Sequence, residues 1–236
     1  MPNETFYLDG IDARSYGIYL QKPVEFSEAV PVVEVQTIPG RNGDLIWETG
    51  SYENRSGSAS CFCLQKDVEK AVSSAGRFLM GKRGYRRLET SDDPDHYWLA
   101  RVENSPQIAM RLRTLAPFDI GFDCKPQRFL KDGENTVVFT ESGSILNQYG
   151  QVALPLITLY GDGSGWLTIG KITISVTSLD GTLFLDSETQ NAYNNAGNQN
   201  MNIIAPVFPV LPDGESLVSW GGNIERVEIV PRWWEL

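Results

Sequence analysis

The chain has few of the residues that build covalent or metal cross-links. It contains three cysteines, Cys61, Cys63 and Cys124, and one histidine, His96. An odd, small number of cysteines is not the framework of a disulfide-stabilised protein, and a metal site would need more ligands than these. Cys61 and Cys63 are two residues apart, so on a strand they would share one face and pack as small apolar groups. We therefore predict buried free thiols, no metal and no cofactor.

Long apolar runs and positive charge are also scarce. No segment approaches the roughly 18 consecutive apolar residues of a membrane helix, and the opening MPNETFYLDG has neither the basic start nor the apolar core of a signal peptide. The net charge of -10 argues against sequence-specific DNA or RNA binding, which needs a basic face. An acidic surface would instead suit a wall along which DNA must not stick. We expect synthesis in a cytoplasm, and no membrane partner.

The motifs of the common enzyme classes are missing from the sequence. It has no GxSxG elbow, no P-loop and no GxGxxG after a strand. His96 belongs to SDDPDH, where Pro94 interrupts the spacing that a calcium loop requires. A solvated acidic turn is the favoured interpretation, and a catalytic or calcium site is the alternative. We predict that the protein is not an enzyme and assign no catalytic residue.

Apolar and polar residues alternate along most of the chain. In residues 118–125, apolar side chains fall on one face and charged ones on the other, and residues 108–114 alternate in the same way. This pattern is typical of half-buried antiparallel strands. Residues 64–80 differ, because their apolar positions recur with a period of 3.6 and Gly81 follows as a cap. They predict one α-helix.

The pattern of predicted strands and turns changes near residue 130. After the turn-rich KDGEN come short strands, with hairpin tips expected at residues 160–166 and at Asp180-Gly181. Such spacing predicts a β-sandwich or barrel. We therefore predict a mainly β protein with two domains, residues 1–130, which include the helix, and residues 131–236.

Two other features of the second half leave alternatives open. Four tryptophans lie there, and they could fill the core of a sandwich or, if exposed, bind sugars: Trp166, Trp220, Trp233 and Trp234. The asparagine-rich residues 191–202 predict an exposed loop, with a loop that contacts a polar ligand or partner as the alternative.

A strong turn signal lies within VEVQTIPGRNGDLIW, residues 33–47. Its tip consists of turn-forming residues around a single arginine: Pro39, Gly40, Arg41, Asn42 and Gly43. The proline restricts φ, and Asn-Gly supplies the positive φ of a tight reversal. A stiff tip could hold the guanidinium against a carboxylate of a neighbouring subunit. A solvated tip is the alternative.

A second candidate segment is the predicted junction between the domains, Lys125, Pro126, Gln127 and Arg128. Proline lacks the N–H that strand pairing needs and pushes the preceding residue into an extended conformation. We predict a rigid structural junction there, and a loop that lies against the next subunit is the alternative.

Four segments together resemble the distal tail (Dit) proteins of long-tailed bacteriophages and prophages. Residues 33–47 resemble that family's P-G-R-(D/N)-G hairpin, and residues 118–130 resemble the strand that leads into its second domain. Residues 227–236, VEIVPRWWEL, resemble its C-terminal Pro-Arg-Trp signature, and residues 6–20 resemble its start.

The resemblance implies a β-barrel-like first domain with one helix and a galectin-like β-sandwich as the second, whose last strand is a candidate for contact with the first domain. It also implies a homo-oligomer, a hexameric ring at the tail tip or baseplate of the virion, with DNA passing through its channel. The ring would join the major tail-tube protein to the tail-associated (Tal) protein and the receptor-binding proteins of host adsorption. The hairpin tip, residues 39–43, would supply ring-interface contacts. The alternative function is a carbohydrate-binding sandwich that attaches to the host surface.

Overall fold

The computed structural model describes residues 4–64, 68–103 and 115–236. The protein is mainly β, which confirms the predicted fold class. The chain divides into two compact units, Met1–Arg128 with Leu236, and Phe129–Glu235. The boundary expected from the sequence lies at residue 130.

The first unit contains strands and one α-helix. In chain order they are β1 Phe6–Leu8, β2 Ile11–Asp12, β3 Ile18–Leu20, β4 Glu25–Phe26, β5 Pro31–Gln36, β6 Leu45–Tyr52, β7 Arg55–Leu64, α1 Val68–Met80, β8 Arg86–Thr90, β9 His96–Val102 and β10 Leu115–Leu130. The main sheet has the order β2-β1-β8-β9-β10-β7-β3, and β4 also pairs with β7.

Helix α1 covers the apolar face of this sheet. Its buried side chains at Ala71, Ala75, Phe78 and Leu79 join one core cluster with strand residues such as Phe122. The predicted helix is confirmed over Val68–Met80, while residues 65–67 lie outside the described residues. The Gly81 N–H donates to the Arg77 carbonyl at 2.8 Å, as expected of a residue that ends a helix.

The alternation in residues 118–125 is confirmed. Phe118, Ile120, Phe122 and Cys124 are buried on β10, and this strand pairs with β7 so that Phe118 lies opposite Cys61. Cys61 and Cys63 share the buried face of β7, and all three cysteines are free thiols. The alternating residues 108–114 lie outside the described residues.

The second unit is built around three long strands. Its elements are β11 Val137–Phe139, β12 Gly143–Asn147, β13 Leu156–Ile169, β14 Ile172–Asp186, β15 Asn191–Asn194, β16 Gly197–Asn198, β17 Ile203–Ile204, β18 Gly214–Val230 and β19 Trp234–Glu235. The sheet order is β11-β18-β13-β14-β15-β16, with β12 also on β18 and β17 also on β14.

The long strands fold back over their own apolar face. Inward side chains from both ends of β13, Ile157 and Leu159 at one end and Leu167 and Ile169 at the other, belong to one core cluster. Because a flat strand cannot bring its two ends into one core, the sheet must bend between them. The register of β13 on β14 shifts between Gly163 and Gly165, where a bend is expected.

The hairpin tips expected at residues 160–166 and Asp180-Gly181 are wrong. Both segments lie inside continuous strands, and Gly161 pairs opposite Gly181. The glycines serve close backbone approach instead, since a Cβ on Gly165 would lie 2.6 Å from the Gly221 carbonyl oxygen. The β13–β14 connection is at Gly170, which has φ 56°.

Most tryptophans of this unit pack in or against its core, and the asparagines form local hydrogen bonds. Trp233 is in the core, Trp220 and Trp234 are half-buried against it, and Trp166 is 41% exposed. The asparagine-rich segment contains β15, β16 and a 3-10 turn rather than only a loop. Its amides bond nearby backbone; for example, Asn200 Oδ1 accepts the Ala192 N–H at 2.6 Å.

Candidate subunit interface

Strands β5 and β6 form a two-stranded ribbon that pairs with no other strand in the described part of the chain. We call residues 31–52 the interface ribbon. Every residue from Val33 to Ser51 is exposed. The ribbon is thus held by its own backbone ladder and by local side-chain bonds, such as the one that Thr49 Oγ1 donates to the Val32 carbonyl at 2.9 Å.

The register places apolar side chains on both faces of the interface ribbon. Val35 lies opposite Ile46 and Glu34 lies opposite Trp47. Since directly opposed residues point to the same side, one face carries Val33, Val35 and Ile46, and the other carries Leu45 and Trp47. Ile46 is 61% exposed and Trp47 is 69% exposed.

Exposed apolar side chains on two faces favour contact with another chain. An isolated two-stranded ribbon is at best marginally stable in water, and a contiguous apolar surface on a soluble protein typically marks a protein–protein contact. Burial of Ile46 and Trp47 on opposite faces would require contacts from two sides. The ribbon is therefore suited to insertion against or between other chains.

The predicted tip residues lie together at the end of the interface ribbon. The Arg41 N–H donates to the Ile38 carbonyl at 3.1 Å, and Gly40 has φ 83°, so Pro39 and Gly40 occupy the centre of a type II turn. Gly43, with φ 79°, completes the reversal. Of the pair Asn42-Gly43, which was expected to supply positive φ, Gly43 does so and Asn42 does not.

A side-chain hydrogen bond joins the two ends of the tip, while the Arg41 guanidinium stays exposed. Thr37 Oγ1 donates to Asp44 Oδ1 at 2.8 Å across the base of the turn. Arg41 is exposed and has no ion-pair partner among the described residues. Its geometry suits contact with a carboxylate of another chain, and that role stays a prediction.

The predicted junction lies within β10 rather than in a connecting loop. The strand continues through Pro126 to Leu130, although its ladder with β7 ends at Cys124 opposite Arg55. The Lys125 ammonium lies 5.7 Å from the centre of the Tyr85 ring. Arg128 donates to Asp93 at 2.6 Å and lies over Trp98. These contacts hold this end of β10 to the first unit.

The acidic turn around His96 is structural and only partly solvated. Asp93 accepts from Arg128 and lies 2.7 Å from His96 Nδ1. Burial would raise the pKa of Asp93, but its hydrogen bonds with His96 and Arg128 outweigh burial, so the pKa is lowered from 3.8. Asp93 is thus a charged anchor for the turn.

The buried thiols have no reactive character at neutral pH. Burial raises the pKa of Cys63 to about 11, and burial together with the neighbouring Asp123 raises that of Cys124 to about 12. A thiol must lose its proton to act as a nucleophile or a metal ligand. In residues 4–64, 68–103 and 115–236, no three His, Cys, Asp or Glu side chains are grouped as a metal site would need. No helix in those ranges is long and apolar enough to cross a bilayer.

Comparison with known proteins places the fold. No family model matches the chain, and no curated protein matches it significantly. Among solved structures, the crystal structure of SPP1 Dit (gp 19.1) matches with a TM-score of 0.75 and 15% sequence identity, over 97% of this chain and 98% of that chain. The chain has the fold of SPP1 Dit. That protein is a paradigm of the hub of the adsorption apparatus in phages that infect Gram-positive bacteria. The fold likeness supports the Dit resemblance seen in the four sequence segments.

The tip of the interface ribbon is predicted by the sequence, whereas the exposed apolar side chains of its two strands are seen only in the structure. The signal was present in Leu45-Ile46-Trp47, where consecutive apolar residues on a strand must face both sides. The Dit-like fold now places that run on a ribbon outside the two cores.

Proposed function

We propose that this chain is a distal tail protein, a structural hub at the tail tip or baseplate of a long-tailed bacteriophage or prophage. Its fold matches a phage hub protein over nearly the whole chain. In this role it forms a hexameric ring that joins the tail-tube protein to the Tal and host-adsorption proteins. It is made in the host cytoplasm, becomes part of the virion, and transforms no substrate.

The interface ribbon is the observation that carries the ring proposal. It presents apolar side chains on both faces with no cover in the described part of the chain. A head-to-tail contact, in which the ribbon of one subunit packs on a different surface of the next, closes into a ring when the rotation between subunits closes. Residues 39–43 at the tip then reach furthest toward the neighbour, with Arg41 as the charged contact.

The acidic net charge supports passage of DNA through the ring. A surplus of negative charge repels phosphates and disfavours adhesion of the passing duplex. No sequence-specific nucleic-acid contact is part of this function.

The proposal is tested by measuring the mass of the purified protein over a range of concentrations, with negative-stain images of the same samples. We expect hexamer mass and ring-shaped views. The Ile46→Lys variant should lose the ring, because it buries a charge on the apolar face of the interface ribbon. Leu217→Lys is the matched control, since Leu217 is 68% exposed on β18 in the second unit. Arg41→Ala should weaken the ring at low salt more than at high salt.

A wild-type chain that stays monomeric up to its highest soluble concentration, with Ile46→Lys changing nothing, contradicts the ring. If Arg41→Ala has the same ring mass as the wild type at all salt concentrations, the tip arginine is not part of the interface. The apolar faces would still be part of it.

A further inference from the structure

A cleft of about 480 Å³ lies in the first unit. Its walls include Phe26 of β4, Arg55 at the start of β7, Thr90 at the end of β8 and Trp98 of β9. Sites for small molecules usually have volumes of about 300 to 1,000 Å³. The cleft therefore has room for a ligand group much larger than one water molecule.

Three side chains that line this cleft contain a buried hydrogen-bonding atom without a partner. Arg55, Thr90 and Trp98 are 7%, 3% and 4% exposed. Arg55 Nη1, Thr90 Oγ1 and Trp98 Nε1 have no hydrogen-bond partner in the described part of the chain. Only six buried side-chain atoms there share this property, so half of them cluster around one cleft.

Such clustering points to an acceptor from outside the chain. A buried donor left without an acceptor is destabilising, and native proteins rarely keep several at one place. All three groups can donate: a guanidinium N–H, a hydroxyl O–H and an indole N–H. Each of the three atoms has almost no accessible surface, so an oxygen-rich group bound in the cleft would reach them through a small shift of the lining side chains.

The guanidinium of Arg55 is already oriented by the protein. Its Nε donates to the Ser27 carbonyl at 2.6 Å, and its Nη2 lies 4.0 Å from Glu28 Oε2. The Glu28 side chain is almost fully exposed, so water weakens its pull. Nη1 remains as an ordered, charged donor, and a carboxylate is the group that best fits a guanidinium.

The remaining charges around the cleft favour a single negative group over a polyanion. Asp93 already pairs with Arg128 at 2.6 Å, which neutralises both. Asp92 is exposed at the cleft and adds a negative charge that would repel a phosphate chain or DNA.

We propose that this cleft binds one carboxylate, with Arg55, Thr90 and Trp98 as its donors. The carboxylate comes either from a small molecule or from an acidic side chain of another copy of this chain, which has 30 acidic residues. The proposal does not depend on ring formation.

The test measures thermal unfolding with sodium acetate against sodium chloride at equal ionic strength. Acetate should raise the Tm of the wild type, because a ligand that binds the folded state stabilises it. Thr90→Val removes one donor and keeps the shape of the side chain. Trp98→Phe removes one donor and one ring of the indole, but it keeps an aromatic ring at the position that stacks on Phe26 at 4.2 Å. Each should weaken the apparent acetate affinity about fivefold or more. Thr90→Val should leave the Tm in chloride unchanged, whereas Trp98→Phe should lower it, because the lost ring leaves a cavity. Thr158→Val, a buried threonine of the second unit, is the control.

The same samples distinguish the two sources of the carboxylate. An acetate-specific Tm rise that the two variants lose, with oligomer mass unchanged, supports a small-molecule carboxylate. If acetate lowers the oligomer mass and the two variants do the same, an acidic side chain of a second copy occupies the cleft. The proposal is overturned if acetate acts no differently from chloride on both Tm and mass, or if its effect persists in Thr90→Val and Trp98→Phe.

Discussion

The β13–β14 ribbon of the second unit and the β5–β6 ribbon of the first are both antiparallel pairs joined by a short connection. They differ in what covers their apolar side chains. The first bends, so that Ile157 and Ile169 from its two ends enter one core. The second does not fold back, and Ile46 and Trp47 stay in solvent on opposite faces.

The positions of the glycines differ between the two ribbons. Glycines at the bend of the long ribbon let the backbone of β13 approach its other neighbour, β18, closely, as at Gly165 against Gly221. The interface ribbon has its positive-φ glycines at the tip and at Gly50, where a Cβ would meet nothing within 4 Å. The apolar side chains of one ribbon are covered by its own chain, and those of the other are exposed and would be covered by a partner under the proposed function.

The largest expected difference is between two isoleucines. Ile174 of β14 is fully buried and Ile46 is mostly exposed. Ile174→Ala should lower the free energy of unfolding by about 2 to 5 kcal/mol, because it removes packed atoms and leaves a cavity. Ile46→Ala should change the free energy of unfolding of the separated subunit by less than about 0.5 kcal/mol. Urea denaturation at a concentration where the protein is monomeric measures both.

Equal losses in the free energy of unfolding of the monomer for Ile174→Ala and Ile46→Ala would contradict this expectation. A large loss for Ile46→Ala would mean that the interface ribbon is folded onto its own subunit in solution. The proposed ring should respond differently to Ile46→Ala. Its oligomer mass should fall clearly, while the stability of the separated subunit changes little.

The parts of this fold that the sequence predicts are those whose pattern is local. Helix α1 follows from one apolar stripe, and the buried face of β10 follows from strict alternation at Phe118, Ile120 and Phe122. The bends of β13 and β14 do not follow, because Gly and Asp give the same signal for a turn as for a kink inside a strand. Only the pairing of Gly161 with Gly181 distinguishes the two.

The candidate sites divide in the same way. Pro39-Gly40 predicts the tip of the interface ribbon, because a turn depends on residues that are adjacent in the sequence. The cleft is not, since Arg55, Thr90 and Trp98 come from three strands and each is an ordinary strand residue by itself. Burial of a polar atom without a partner depends on tertiary packing, which no local pattern records.

A smaller effect on stability is expected at the glycine bend of β13. Gly165→Ala should destabilise the protein by about 1 to 3 kcal/mol, because the new methyl group would press on the Gly221 carbonyl and the Ile224 side chain. Gly76→Ala is the control, since Gly76 lies in α1 with open space around it. That change should stabilise by about 0.5 to 1 kcal/mol through helix propensity. Thermal unfolding of the two variants gives opposite signs, and a neutral Gly165→Ala would show that the bend tolerates a Cβ.

The smallest expected effect is a pH-dependent one at the end of the long ribbon. Asp186, the last residue of β14, accepts from Arg232 at 2.7 Å. Burial would raise the pKa of Asp186, but the hydrogen bond and charge of Arg232 outweigh it, so the pKa is lowered from 3.8 in the folded state. The ion pair therefore adds stability above the unfolded pKa, and this stability is lost as pH falls through the lower folded pKa.

Asp186→Asn should accordingly lower the free energy of unfolding by about 1 kcal/mol near neutral pH, and the deficit relative to wild type should shrink below about pH 4. Denaturant titrations at a series of pH values measure that difference. Asp44→Asn at the base of the interface ribbon tip is the matched control, because Asp44 is exposed and bonds only Thr37 among the described residues; its effect on the monomer should stay within about 0.5 kcal/mol. A deficit for Asp186→Asn that stays constant down to pH 2 would contradict this prediction. It would mean that the charge of the carboxylate does not stabilise this end of the β13–β14 ribbon, which would then depend on packing alone.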